Sequence, residues 1–167
     1  VDGKGFSILG GRLKELNYQM EEGLSLAGGS APEDATVVAV VGPKQPFSPG
    51  EVQALRAHLK KGRGALLLLD PGPPTSLEGL LGEYGVELGQ NFVVDLSGIG
   101  QMLGADVSVP VVVQYGEHPI TTRIAQGTMS FYPLARSNTL AGRSGPDQTP
   151  LVFTHRSSWG ESDLGPI

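Results

Sequence analysis

Two apolar runs with an amphipathic segment between them predict a strand, a helix and a second strand. Thr36 to Val41 is rich in β-branched residues on both faces, which is typical of a strand covered above and below. Ser48-Pro49-Gly50-Glu51 then combines an N-cap hydroxyl, a first-turn proline and a carboxylate three residues after the cap, so a helix is expected to begin there. Gly62 can end it, before a second fully apolar run from Ala65 to Leu69. Two buried strands joined by one helix require parallel pairing and a right-handed crossover.

The residues before this unit show two other periods. Apolar side chains recur at helical spacing from Gly5 to Leu16, which predicts an amphipathic helix, and Asn17 suits its C-terminal cap. Apolar and polar residues then alternate from Tyr18 to Leu26, which predicts a strand with one wet face. Gly28-Gly29 interrupts the alternation.

The pattern after the unit predicts further alternation of strands and helices. Thr75 with Glu78 forms a second capping box, and Gly85 ends the short helix that follows. A loop is expected from Asp95 to Val109. The remaining predicted elements are strands at Phe92–Val94, Val111–Val113, Met129–Tyr132 and Leu151–Phe153, and a short helix from Pro119 to Ala125. This order predicts an α/β fold, a three-layer sandwich around a mainly parallel sheet.

Composition narrows the class of protein. The 39% of hydrophobic residues support a real core, and residues 1–167 are expected to form a single α/β domain. A net charge of -5 opposes a nucleic-acid surface or a basic membrane-binding surface. The chain has no cysteine, which excludes disulfides, thiolate metal sites and cysteine nucleophiles. No apolar run is long enough to span a bilayer, and the chain begins at Val1 without a signal segment, so it is interpreted as a fragment of a longer protein.

Candidate binding residues follow from the predicted sheet, because ligands of open α/β sheets lie at the carboxyl ends of the strands. Pro43 and Lys44 follow the first buried strand, Asp70 and Pro71 follow the second, and Asp95 ends the next one. A phosphoacceptor role for Asp70 would need an acidic pair that follows an earlier strand and holds Mg²⁺, and nothing of that kind precedes Asp70. The simpler interpretation is that Asp70-Pro71 turns the chain.

The histidines, serines and the tryptophan give weaker indications of a functional site. No histidine has the helical spacing of a metal site, and His118 before a proline is expected to open a helix. No serine lies in the Gly-x-Ser-x-Gly turn of an α/β-hydrolase, and no phosphate-binding glycine loop follows a strand. Trp159 is interpreted as an aromatic that closes the sheet, with a partner anchor as the alternative.

Several blocks in order resemble the ABC-transporter auxiliary family that includes the gliding-motility GldG-type proteins. The first runs from Gly42-Pro43-Lys44 through the helix to Leu69-Asp70-Pro71. The later blocks are Tyr84-Gly85-Val86-Glu87-Leu88-Gly89, Val93-Val94-Asp95, Tyr115-Gly116-Glu117-His118-Pro119-Ile120-Thr121 and Thr154-His155-Arg156-Ser157-Ser158-Trp159-Gly160-Glu161. The resemblance covers nearly the whole chain.

The resemblance implies an extracytoplasmic (periplasmic) domain of a bacterial ABC transport system, without catalytic residues or a cofactor, tethered by membrane segments outside this sequence. Its implied partners are the membrane and ATPase subunits of the same system, with a small molecule or peptide as a possible ligand. The implied fold is flavodoxin-like, similar to the class I glutamine-amidotransferase-like sandwich and to a domain of an intraflagellar-transport protein. The alternative hypothesis is a degenerate hydrolase or small-molecule enzyme that uses Asp70, Asp95 or His118.

The resemblance also implies a first buried strand that this chain starts too late to contain. In a flavodoxin-like sheet, that strand would lie beside Thr36 to Val41, and its absence would leave an unpaired edge. Either Tyr18 to Leu26 pairs with this edge, which we favour slightly, or a strand of a second copy does.

Overall fold

The computed structural model describes residues 6–124, 127–140 and 148–163. The helices are α1 (Ser7–Glu15), α2 (Pro49–Lys60), α3 (Glu78–Glu83) and α4 (Ile99–Met102). The longer strands are β1 (Val37–Val41), β2 (Gly64–Leu68), β4 (Phe92–Asp95) and β10 (Ser158–Glu161). The short strands are β3 (Val86–Leu88), β5 (Val111–Val112), β6 (Gln114–Tyr115), β7 (Ser130–Phe131), β8 (Asn138–Leu140) and β9 (Val152–Phe153).

The first predicted helix is present as α1, and Asn17 follows its end as expected. Asn17 has a left-handed backbone, with φ of 63°. Its N–H donates to the carbonyl of Lys14, and the N–H of Tyr18 donates to the carbonyl of Leu13. These two hydrogen bonds together define a Schellman motif. No residue of α1 is buried, however. The amphipathic pattern therefore predicted the helix but not the surface that its apolar side covers.

The predicted strand from Tyr18 to Leu26 is wrong, because no strand forms there. The segment is irregular, and only Leu26 in it is buried. Within the described residues, no backbone hydrogen bond joins it to β1. Alternation over this short stretch reflects composition rather than pairing, since Glu21 and Glu22 remain in solvent.

The strand–helix–strand unit is confirmed. β1 and β2 pair in parallel, with Val37 opposite Gly64 and Val41 opposite Leu68. The capping box at the start of α2 forms in full: the N–H of Glu51 donates to Ser48 Oγ (3.4 Å), and the N–H of Ser48 donates to Glu51 Oε2 (2.8 Å). A local signal therefore sets the start of the crossover helix.

The core lies on one side of the β1–β2 pair. Val38 and Val40 are buried against Leu55 of α2 and against Leu77 and Leu80 at α3. The other side is open, since Val37 is 57% exposed and Leu66 is 43% exposed. The prediction that both strands are covered above and below is therefore wrong, because both α2 and α3 pack on the same face.

The predicted three-layer sandwich with a mainly parallel sheet, flavodoxin-like or class I glutamine-amidotransferase-like, is also wrong. In the described part of the chain, β1 and β2 form the single parallel pair, and four further pairs are antiparallel: β4 with β10, β3 with β8, β5 with β7, and β6 with β9. The physical reason lies in tertiary pairing. After β2, strands bond to partners that are distant in sequence, such as β10 for β4 and β8 for β3, and a helix between two consecutive strands does not by itself make those two pair.

The structure also differs from the sequence-based prediction in several shorter elements. The predicted helix at Pro119 is a series of turns up to Ile124, and Ala125 lies outside the described residues. The predicted loop from Asp95 to Val109 contains α4. Four strands of the antiparallel pairs fall where no strand was expected: β3, β6, β8 and β10.

Candidate functional site

A small cavity opens where β1 and β2 end. Because the two strands are parallel, the loops that follow them lie at the same edge of the sheet, and together they enclose a volume of about 130 Å³. Half of the residues that line it are prolines: Pro43, Pro46, Pro71, Pro73 and Pro74. Since the proline ring fixes φ, the wall is rigid before any ligand arrives.

Two opposite charges stand at this cavity. Lys44 Nζ lies 3.7 Å from Asp70 Oδ2, and the two side chains are 85% and 69% exposed. An ion pair this exposed contributes little to stability. Both groups are therefore accessible to a ligand.

Gly42 allows the two charged loops to approach each other. Its backbone is left-handed, with φ of 49°, a conformation that glycine adopts without strain. A Cβ built at this position would lie 3.2 Å from Asp70 Oδ2, a close contact. Glycine at the end of β1 thus leaves room for the Asp70 carboxylate.

Thr75 also lines the cavity. Its carbonyl accepts from the N–H of Phe47 (2.9 Å), which ties the two loops together. Its own N–H (2.8 Å) and hydroxyl (3.1 Å) both donate to Glu78 Oε1. Burial raises the pKa of Glu78, but hydrogen bonds from Thr75 and Ser76 outweigh this and hold the pKa below its usual range. The predicted link between Thr75 and Glu78 is present, although α3 begins at Glu78.

A buried arginine, Arg136, holds the Asp70 loop through the backbone. The sequence analysis did not identify it. Arg136 is 8% exposed, and its Nη1 donates to the carbonyl of Asp70 (3.2 Å) while its Nε donates to the carbonyl of Gly89 (2.9 Å). Among the described residues, no carboxylate pairs with it, and its Nη2 has no hydrogen-bond partner. Arg136 positions the loop and does not line the cavity.

Four predicted site residues, Pro43, Lys44, Asp70 and Pro71, meet at this cavity, whereas Asp95 lies outside it. Asp95 is fully buried at the end of β4, with Oδ1 accepting from the N–H of Ser97 (2.8 Å) and Oδ2 from the N–H of Val111 (3.2 Å). Burial raises the pKa of Asp95, but these hydrogen bonds lower it by more than burial raises it, so its pKa lies below the usual value. Its two oxygens hold backbone in place.

His118 and Trp159 also lie apart from the cavity. His118 Nδ1 accepts from the N–H of Ile120 (3.2 Å), so the imidazole helps to open a turn. Trp159 pairs with Val94 across the β4–β10 ladder, is 45% exposed, and donates from Nε1 to Glu161 Oε2 (3.3 Å). The strand pair covers only part of the indole.

The geometry gives a rigid proline wall and one accessible charge of each sign. No hydrogen bond in the described ranges joins Asp70, Asp95 and His118, the residues of the alternative enzyme hypothesis. Residues 6–124, 127–140 and 148–163 contain no group of three side chains that could hold a metal ion. In the same ranges, no helix has both the length and the apolar character to cross a bilayer.

The comparisons with known proteins concern the family and the fold. A family model described as an ABC-type uncharacterized transport system matches residues 7–166. Its description does not mention gliding motility. None of the curated proteins matches the chain.

One solved structure shows what the fold is similar to. The chain aligns with a structure titled "mmIFT52 N-terminal domain" at a TM-score of 0.64 and 19% identity, over 82% of this chain. The chain spans 65% of the length of that structure. At this identity the likeness concerns the fold alone. It does not support the amidotransferase-like sandwich, but it agrees with the intraflagellar-transport domain that the resemblance also implied.

Proposed function

This chain belongs to the family of the ABC-type uncharacterized transport system, and on that premise we propose that it is a non-catalytic binding domain of such a system. The proposed place is the extracytoplasmic face of the bacterial inner membrane, as the family resemblance implies. Residues 1–167 act as one unit of a longer, membrane-tethered protein. The membrane subunit is the direct partner, and the ATPase subunit is coupled through it.

The observation that carries the proposal is the cavity at the ends of β1 and β2. Its volume of about 130 Å³ is well below the roughly 300 Å³ at which sites for whole small molecules begin. It can accept one side chain of a protein segment. The prolines supply preformed apolar walls, which reduces the entropy lost on binding.

The charges at this cavity add specificity for a peptide. Lys44 can pair with a carboxylate of the bound segment and Asp70 with a cation, so their separation of 3.7 Å selects a segment with both charges close together. The affinity expected from one small pocket and two exposed charges is modest. A modest affinity suits a component that binds and releases during a transport cycle.

The test is thermal stabilisation of the purified chain by synthetic peptides that cover the extracytoplasmic loops of the membrane subunit. A peptide at 100 times its dissociation constant adds about 2.7 kcal/mol of stability. Asp70→Asn and Lys44→Gln should each weaken the shift without lowering the stability of the free protein. The matched control is Lys14→Gln, because Lys14 lines a different cavity beside α1.

Two outcomes would contradict the proposal. Stabilisation by a nucleotide rather than by any peptide would indicate a different class of ligand. A peptide shift that Asp70→Asn and Lys44→Gln leave unchanged would place the binding surface elsewhere on the domain.

A further inference from the structure

The size of the cavity at the ends of β1 and β2 matches one aromatic ring. Its volume of about 130 Å³ is close to the roughly 150 Å³ of a cavity that holds one benzene molecule in another protein. A single ring therefore fills the space, whereas the side chain of an alanine would leave most of it empty.

Prolines are the apolar residues that line this cavity. Three of them are exposed and two are half-buried: Pro46, Pro73 and Pro74, and Pro43 and Pro71. Proline and aromatic rings pack against each other in the recognition of proline-rich segments, where the binding domain supplies the aromatic rings and the peptide supplies the prolines. Here the binding domain carries the prolines. The complementary group on the bound segment is therefore an aromatic ring.

The ion pair at the cavity matches the charge distribution of such a ring. Lys44 Nζ and Asp70 Oδ2 lie 3.7 Å apart, and both side chains are exposed. An aromatic ring has a negative face, which attracts a cation, and a positive edge, which attracts an anion. One ring can present its face to Lys44 and its edge to Asp70 at the same time. An aliphatic side chain of the same size would displace water from both charges and give neither of them a partner.

We propose that the side chain that enters this cavity is the ring of a tyrosine or a tryptophan. The identification of the ring rests on the proposed function, which takes the ligand to be a segment of the membrane subunit. The ring packs on the prolines, its face meets the Lys44 ammonium group, and its O–H or N–H donates to the Asp70 carboxylate. Tyrosine and tryptophan both combine an apolar body with one donor. Charged residues beside the ring can reach the same two groups from solvent, since Lys44 has three donors and Asp70 has two acceptor oxygens.

A series of capped peptides tests this assignment. Each peptide has a glutamate on one side and a lysine on the other side of a central tyrosine, tryptophan, phenylalanine or cyclohexylalanine, and calorimetric titration gives its dissociation constant. Phenylalanine should bind about 2- to 5-fold more tightly than cyclohexylalanine, which has a similar size but no π face. Tyrosine and tryptophan should bind about 2- to 10-fold more tightly than phenylalanine, because each adds a hydrogen bond to Asp70.

Two substitutions separate the contributions of the two charges. Lys44→Gln should abolish the preference for phenylalanine over cyclohexylalanine, and Asp70→Asn should reduce the preference for tyrosine over phenylalanine. Lys14→Gln is the matched control, since Lys14 lines the other cavity, and it should change neither preference. Each preference compares two ligands on the same protein, so a small change in folding stability does not affect it.

NMR spectra of the unmodified chain can locate the ring. An aromatic ring shifts the resonances of protons near its face and edge. The phenylalanine peptide should therefore shift the amide resonances of Gln45, Gly72 and Thr75, which line the cavity, and the cyclohexylalanine peptide should shift them less.

The outcomes distinguish this proposal from the proposed function. Equal dissociation constants for the phenylalanine and cyclohexylalanine peptides, both weakened by Lys44→Gln and Asp70→Asn, would overturn the aromatic ring and leave the proposed function intact. Binding of the membrane subunit's loop peptides without binding of any peptide in the series would overturn the aromatic ring as well. If the loop peptides also failed to bind, the proposed function itself would be wrong.

Discussion

Replacement of Asp95 by asparagine tests the role that the structure gives to its buried carboxylate. Its two oxygens accept from the N–H groups of Ser97 (2.8 Å) and Val111 (3.2 Å), and the side chain is 1% exposed. The asparagine side chain would keep one acceptor oxygen and present an amide N–H₂ to the other donor. One hydrogen bond to a charged group is lost and a buried N–H is left unpaired, so Asp95→Asn should cost about 2–3 kcal/mol of stability at neutral pH.

The effect should depend on pH in a defined direction. Burial raises the pKa of Asp95, but the hydrogen bonds lower it by a larger amount. The carboxyl is therefore more acidic in the folded state than in the unfolded chain. A depressed pKa stabilises the fold above the unfolded value of about 3.9, and this contribution is lost as pH falls through the folded pKa. The stability difference between the natural chain and Asp95→Asn should therefore be constant near neutral pH and shrink in acid.

Urea unfolding followed by circular dichroism, at steps from pH 7 to pH 3, measures both effects. The matched control is Asp106→Asn, because Asp106 Oδ1 also accepts from an N–H two residues ahead, that of Ser108 (2.9 Å), but on an exposed side chain. The control should lose less than about 0.5 kcal/mol. A similarly small loss for Asp95→Asn at pH 7, or a difference that does not change with pH, would refute this account of Asp95.

Two further substitutions test the core and the support of the site. Leu55 is 0% exposed at the centre of the core, so Leu55→Ala should cost about 2–5 kcal/mol in urea unfolding, whereas Leu66→Ala on the open face should cost less than about 1 kcal/mol; equal losses would contradict the one-sided core. Arg136→Met removes the donors to the carbonyls of Asp70 and Gly89, so it should cost about 2 kcal/mol and speed hydrogen exchange in the Asp70–Gly72 loop. Unchanged exchange there would show that Arg136 does not hold the loop.

The parts of the fold that follow local rules could be predicted from the sequence. The capping box of Ser48 and Glu51 involves residues three apart, and the left-handed Asn17 follows a helix that it helps to end. β1 and β2 were predictable because each is a β-branched or aliphatic run beside a helix of the right length. Even there, the apolar runs predicted burial on two faces, since periodicity does not show which face a helix covers.

The antiparallel pairs could not be predicted in the same way. β10 lies beside β4, with Trp159 opposite Val94 across a long stretch of sequence. β9 has only two residues, Val152 and Phe153, and a strand this short carries no period at all. Such pairs form because tertiary contacts bring the segments together. The sequence-based alternation of strands and helices therefore overestimated the parallel sheet.

The candidate site contains residues placed by local strand geometry and a residue placed by a contact that is distant in sequence. Experiments can distinguish these two kinds of residue. Lys44 and Asp70 were predictable, because the carboxyl ends of parallel strands meet at one edge whatever the rest of the chain does. Arg136 was not, because it reaches the carbonyl of Asp70 across 66 residues of sequence and belongs to no motif. Asp70→Asn should therefore weaken peptide binding and leave stability unchanged, whereas Arg136→Met should lower stability and weaken binding only as far as the loop moves. If Asp70→Asn instead lowered stability as much as Arg136→Met, Asp70 would be a structural turn residue. The proposal that the cavity is a binding site would then be wrong.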